Sequence, residues 1–192
     1  MNGYQIEKAI KLIPEAVHFK GCFYNRNIPF GLLKKKKCFF VVNTVVDTKK
    51  FGHWVLYYIS QNRLFYFDSF AMTPKDYGFD IESFYKSYPY DKIIVFNNQI
   101  QNDKSNVCGA YTIILSYLMC KNYSLRRIKS LFTKNTRRND SYTTSFLYSL
   151  VGITLKCNRS FCPKAMFLGK CRKFCECWIV QSMFRYLDLT SC

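Results

Sequence analysis

In the stretch QIQNDKSNVCGAYTIILSYLMC, residues 99–120, a polar loop turns abruptly into a long apolar run, and a cysteine stands at the boundary. A structural cysteine belongs inside such a run, as Cys120 is. Cys108 instead falls on the first turn of the expected helix. There the free N–H groups and the positive end of the helix dipole stabilise a thiolate. A thiolate nucleophile needs a base to form an ion pair, and the base needs a third group to hold its tautomer. The chain has two histidines, His18 in an irregular N-terminal stretch and His53 at the start of an expected strand. Asp68 closes the next expected strand, and a hairpin between the two brings His53 and Asp68 side by side on a sheet. Gln101, seven residues before Cys108, carries an amide that can line an oxyanion site. The Cys108 N–H would be the second donor, and one such donor is worth about 10²–10³ in rate. Gln99 competes for that role, and both glutamines also fit a solvated loop. Taken singly, each of these residues is ordinary: a strand-end histidine, a turn aspartate, a buried helix cysteine. In one order and one context they point to acyl transfer through a thiol.

The elements that must position these residues follow from periodicity. Apolar residues at helical spacing predict a helix over residues 4–13, ended by Pro14. Strands are expected from Cys38 (CFFVVNTVV), from Trp54 (WVLYYIS), from Leu64 (LFYFDSF) and from Lys92 (KIIVFNN), with QNR as the turn of an antiparallel hairpin. DIESFYKS, residues 80–87, reads as a helix capped by Asp80. The helix from Cys108 follows. Then comes a basic helix capped by Ser124, and a last helix capped within Asn139–Ser141 that runs to a C-terminal glycine at Gly152. The fold class is α+β, with a small, mostly antiparallel central sheet packed between helices. The boundary falls after Gly152, which divides the chain into a domain of residues 1–152 and a basic, cysteine-rich extension of residues 153–192.

At 192 residues, with 49% hydrophobic and 18% aromatic, the chain buries a core and is not a disordered polymer. No apolar run is long enough to span a bilayer, and the N-terminus lacks a secretory h-region. The expectation is a soluble protein of a reducing compartment, without a disulfide scaffold despite ten cysteines. A net charge of +17 implies a polyanionic partner, nucleic acid before an anionic membrane, bound without sequence preference. The charge is clustered at Lys34–Lys37, Lys49–Lys50, Arg126–Lys129 and Lys134–Arg138. The bland alternative is a solvated surface that keeps the chain in solution.

The order His, acid, Gln, Cys-Gly resembles the adenain family, the adenovirus-type cysteine proteases that share a clan with the SUMO-deconjugating proteases. FFVVNTVVDTKKFGHWVLYYI is similar to the family's I-V-N-T stretch followed by H-W. The seven-residue step from Gln101 to Cys108 matches adenain, whereas the SUMO proteases have six. FKGCFYNRNIPF from Phe19 and TRRNDSYTTSFLYSL from Thr136 resemble flanking segments of the family, so the likeness covers about residues 4–152. It implies a papain-like catalytic arrangement with adenain/SUMO-protease topology. Cys108 would be the nucleophile, His53 the base and acid, Asp68 the orienting group where adenain has Glu, Gln101 the oxyanion donor, and Trp54 a wall of the substrate channel. It also implies a cysteine endopeptidase that cleaves viral precursor proteins near glycine during virion maturation, in the host nucleus and the virion, with DNA as an activator and no cofactor for the chemistry itself. The alternative within the clan is removal of ubiquitin-like or SUMO-like modifiers. The family's activating peptide is held by a disulfide. Tyr90 stands near that cysteine's place here, so a peptide would have to bind without the link.

The extension has no counterpart in the resemblance. Its cysteines follow the pattern C-x4-C-x8-C-x3-C-x-C from Cys157, among Lys164, Lys170, Arg172 and Lys173. A zinc site there would have to be all thiolate, since no histidine is at hand. Unpaired cysteines in a basic aromatic tail are the simpler reading, and redox or intermolecular disulfides the third.

Overall fold

The structure, a computed structural model, describes residues 1–45, 52–78, 83, 84, 86, 87 and 92–155, with the side chains of 151–155 excepted. Helix α1, Gly3–Lys11, opens with a reciprocal cap. The Asn2 side chain accepts from the Gln5 N–H at 2.9 Å, and the Gln5 side chain accepts from the Asn2 N–H at 3.0 Å. The helix ends at Lys11, three residues before the proline expected to stop it. Five strands follow in the chain: β1 Phe19–Tyr24, β2 Lys37–Asn43, β3 Trp54–Ser60, β4 Arg63–Phe67 and β5 Lys92–Phe96. Three helices complete the described chain: α2 Cys108–Cys120, α3 Leu125–Ser130 and α4 Thr136–Leu155.

The sheet keeps chain order, β1-β2-β3-β4-β5. The central pairings β2–β3 and β3–β4 are antiparallel, while β1–β2 and β4–β5 are parallel. The sheet is therefore mixed, where a mostly antiparallel one was expected, because each outer strand enters after a crossing connection and not through a hairpin. β1 escaped the sequence reading. Lys20 and Gly21 break its apolar pattern, and Gly21, at φ +119°, lies in a bulge between Phe19 and Cys22.

The strands read as continuous apolar runs because both sheet faces are covered. Phe39, Val41, Leu56, Tyr58 and Phe67 face α1 and α2. Phe40, Val42, Val55, Tyr57 and Tyr66 face the other way, onto Ile28, Leu33 and Phe84. Among the described residues that second cover is built from short 3-10 turns and the helical Phe84. Helix α2 is apolar on all sides and lies at the centre of the first layer, on β3 and against α1 and α4. No helix among the described residues is long and apolar enough to cross a membrane.

Two helix ends differ from expectation. α4 begins at Thr136, with the Asn135 side chain accepting from the Arg138 N–H at 3.1 Å, so Asn139 lies inside the helix and is buried. The same helix passes through Gly152 to Leu155, so that glycine does not end it. Ser124 caps α3 as expected. Ser83, Phe84, Lys86 and Ser87 are helical or in a turn, with a Ser87 N–H to Ser83 O bond of 2.9 Å. Asp80, Tyr90, Lys49, Lys50 and the C-terminal cysteines lie outside the described residues.

Candidate active site

The β3–β4 hairpin builds the first half of the site. Its turn, Gln61-Asn62, has positive φ at both residues, 52° and 58°, the geometry that suits the twist of a two-residue hairpin. The resulting register pairs Leu56 with Phe67, so the residue before β3 and the residue after β4 emerge at the same sheet end. His53 Nε2 lies 2.9 Å from Asp68 Oδ1. The backbone fixes His53 too: its carbonyl accepts from the Thr44 N–H at 2.8 Å, and its N–H donates to Thr44 Oγ1 at 3.3 Å.

Asp68 is 0% exposed. Its Oδ1 also accepts from the Phe70 N–H at 2.7 Å, and its Oδ2 accepts from the Tyr77 hydroxyl at 2.6 Å. These donors hold the carboxylate in one orientation. The imidazole is packed between Phe70, 4.7 Å between ring centroids, and Tyr77, 5.8 Å and nearly parallel. Its side chain is 12% exposed. Neither Phe70 nor Tyr77 was singled out in the sequence. Phe70 follows Asp68 by two residues and was within reach of such a reading. Tyr77 was not, because only the folding back of the Pro74–Tyr77 turn brings its hydroxyl to Asp68.

Helix α2 brings the nucleophile. Val107 provides no side-chain cap, so the first N–H groups of the helix remain available at Cys108 and Gly109. Gly109 is small for a reason: a Cβ there would lie 3.0 Å from Ile6 Cδ1 and 3.2 Å from Met1 Cβ, where α1 crosses. With Nε2 committed to Asp68, the imidazole nitrogen left for Cys108 is Nδ1, which is buried and makes no competing hydrogen bond among the described residues.

The electrostatics make an ion pair. Burial opposes charge on His53, but the hydrogen bonds and charges of Asp68 and Cys108 outweigh it and lift its pKa to about 9. Burial likewise raises the Cys108 thiol. The imidazolium, helped by the backbone N–H groups of Trp54 and Gly109, overcomes this and brings it below its usual value. The other described cysteines go the opposite way. Burial pushes Cys22 up to about 12, and Cys38 and Cys120 up to about 11. A thiol at a helix N-terminus facing an imidazole at a sheet end is the papain-like arrangement.

Gln101 is 0% exposed. Its Oε1 accepts from Ser69 Oγ at 2.6 Å, and its Nε2 donates to the Ser105 carbonyl at 2.9 Å. A carbonyl only accepts, so the amide orientation is unambiguous, and the second Nε2 hydrogen makes no bond among the described residues. Gln99 is exposed, and its Nε2 donates to Gln101 O and Asp103 Oδ1. Of the two glutamines, Gln101 is the buried one, tied to Ser69 next to Asp68.

Trp54 is 4% exposed. Its indole N–H donates to the Met1 carbonyl at 3.1 Å, and its ring lies under Gly3. The ring is thus covered by the start of α1 and is not an open channel wall. Its contribution to Cys108 comes through its backbone N–H. Among the described residues no group of three His, Cys, Asp or Glu is placed to hold a metal ion. The cysteines considered for zinc lie outside them.

No family model matches the chain, and no curated protein does. Among solved structures, the Chlamydia trachomatis effector protein Cdu1 bound to ubiquitin is similar with 18% identity and a TM-score of 0.42, over 60% of this chain and 60% of that one. ChlaDub1 from Chlamydia trachomatis is similar with 16% identity and a TM-score of 0.44, over 77% of this chain and 74% of that one. At that depth the functional reading rests on this chain's own geometry.

Proposed function

We propose that this chain is a cysteine peptidase that hydrolyses an amide bond next to glycine. The observation that carries the reading is the Cys108–His53–Asp68 relay, in which His53, anchored to buried Asp68 at 2.9 Å, lowers the pKa of one thiol of the four described, while burial raises the other three. In the reaction the Cys108 thiolate attacks the scissile carbonyl. His53 gives its Nδ1 proton to the leaving amine, then takes a proton from water to release the acyl group. Asp68 keeps Nε2–H directed away from the thiol. Gln101 Nε2–H and the Cys108 N–H are the donors for the developing oxyanion.

The adenain resemblance adds viral precursor proteins as substrates, DNA as a non-specific activator, and a setting in the host nucleus and virion. The net charge of +17 supports the DNA part. The same relay serves the removal of a ubiquitin-like modifier, the second reading. Ubiquitin, on which Cdu1 is seen, is the first modifier to try.

The test uses electrophiles on the wild-type chain and on Cys108→Ala. Labelling of Cys108 by a Gly-Gly peptide aldehyde, with no labelling by a ubiquitin or SUMO C-terminal probe, supports precursor cleavage. Labelling by the modifier probe supports deconjugation. A Cys108→Ala protein that still cleaved the substrate would sink both.

A further inference from the structure

We infer that Asn139 and Asp140 of α4 are positioning residues that set the Gln101 amide, and with it the oxyanion site. This rests on the peptidase reading above. Both residues immediately flanking Gln101 are held by α4. On one side the Ile100 carbonyl accepts from Asn139 Nδ2 at 3.0 Å. On the other the Asn102 N–H faces the Asp140 carboxylate at 3.3 and 3.4 Å, and Asn102 Nδ2 donates to Thr136 Oγ1 at 3.3 Å. Asn139 is itself locked: its Nδ2 also donates to the Thr133 carbonyl at 2.9 Å, and its Oδ1 accepts from the Thr133 N–H at 2.9 Å.

Tyr111 ties this clamp to the nucleophile. It sits three residues after Cys108 on α2, and its hydroxyl lies 2.8 Å from the Ile100 carbonyl and 2.9 Å from Asp140 Oδ1. A phenol has one proton for two acceptors. The Asn139 amide already serves the carbonyl, so the proton goes to the charged carboxylate. One carboxylate thereby joins the helix of the nucleophile, the loop of Gln101 and α4. Gln101 itself is tied to Ser69, through its Oε1 and through its N–H to the Ser69 carbonyl at 3.0 Å, and to Ser105, while α4 holds the residue on either side of it. The position of the second Nε2 hydrogen follows the backbone between Ile100 and Asn102. A displacement of about 1 Å is enough to lose on the order of 10²-fold in rate.

The clamp meets the nucleophile's helix at Tyr111, but none of its hydrogen bonds ends on Cys108, His53 or Asp68, and that separation supplies the test. Iodoacetamide alkylation of Cys108 reports the thiolate and develops no oxyanion. Acylation by p-nitrophenyl acetate passes through one. The expectation is that Asp140→Ala slows acylation about tenfold and leaves alkylation within about twofold, with its pH profile unmoved. Asp140→Asn, which keeps an acceptor oxygen, retains most of the acylation rate. In a Gln101→Ala background, Asp140→Ala adds less than about twofold, because the donor it positions is gone. Asn139→Ala is the second variant and behaves as Asp140→Ala does. Unchanged acylation in Asp140→Ala overturns the inference, as does a full loss on top of Gln101→Ala or a parallel loss of alkylation. Acylation that persists undiminished in Cys108→Ala overturns the peptidase reading, and the inference with it.

Discussion

The three groups of the relay are unequal in what each asks of its surroundings. Cys108 needs only a helix start and a cation. His53 needs two partners on opposite ring nitrogens and a wall on each face, which Phe70 and Tyr77 supply. Asp68 needs donors for both of its oxygens at 0% exposure, and the Phe70 N–H and the Tyr77 hydroxyl supply them. The active form is thiolate with imidazolium, so it exists above the lowered thiol pKa and below the raised imidazole pKa of about 9. The pH profile of acylation is expected to be a bell whose alkaline limb lies near 9, measured as burst rate against pH. Alkylation should already be fast well below the free-thiol value of about 8.5, and His53→Ala should move it up to that value. Asp68→Asn removes the counter-charge and two good acceptor geometries. The alkaline limb should then move to lower pH, with kcat/KM down on the order of 10²-fold, read in the same burst assay.

Short elements bring the site together, and their ends matter more than their lengths. The β3–β4 turn fixes the register that pairs His53 with Asp68, yet Gln61 and Asn62 hold left-handed φ without a glycine. Asn62→Gly is expected to stabilise the chain by about 0.5–1 kcal/mol, seen as a higher midpoint in urea with the alkylation rate unchanged. Helix α1 caps the opposite side of the nucleophile. Ile6 is fully buried against Gly109, so Ile6→Ala should cost about 2–5 kcal/mol and loosen the start of α2. The readout is a lower urea midpoint together with slower Cys108 alkylation at pH 6.

One end of the sheet is basic. The ladder register sets Lys37, Ser60, Arg63 and Lys92 in a row at one sheet end, and His53 and Asp68 emerge at the other. Lys34, Lys35 and Lys36 precede that row, and Lys121, paired with Glu15, closes α2 nearby. A duplex bound there would lie away from Cys108. Affinity for DNA of arbitrary sequence should fall by about 10³-fold between roughly 50 and 200 mM salt for six phosphates contacted, measured by fluorescence anisotropy. Charge reversal at Lys34 and Lys36 should flatten that slope without changing alkylation in the absence of DNA.

What is local could be read from the residues alone. Apolar periodicity located four strands and the buried helix, the boundary at Cys108 marked a helix start, and the spacing of two strands around QNR implied the hairpin that carries His53 and Asp68. Periodicity missed β1, because an edge strand with a bulge at Gly21 has little alternation to read. It also started α4 too late, because Asn139 looks like a cap and is in fact a buried clamp. The rest came from packing between elements. Tyr77 meets Asp68, Asp140 meets Tyr111, and Met1 covers Trp54 from points 9, 29 and 53 residues apart. Periodicity records which face of an element is buried, but contacts of this kind depend on the register between elements, which no single segment contains.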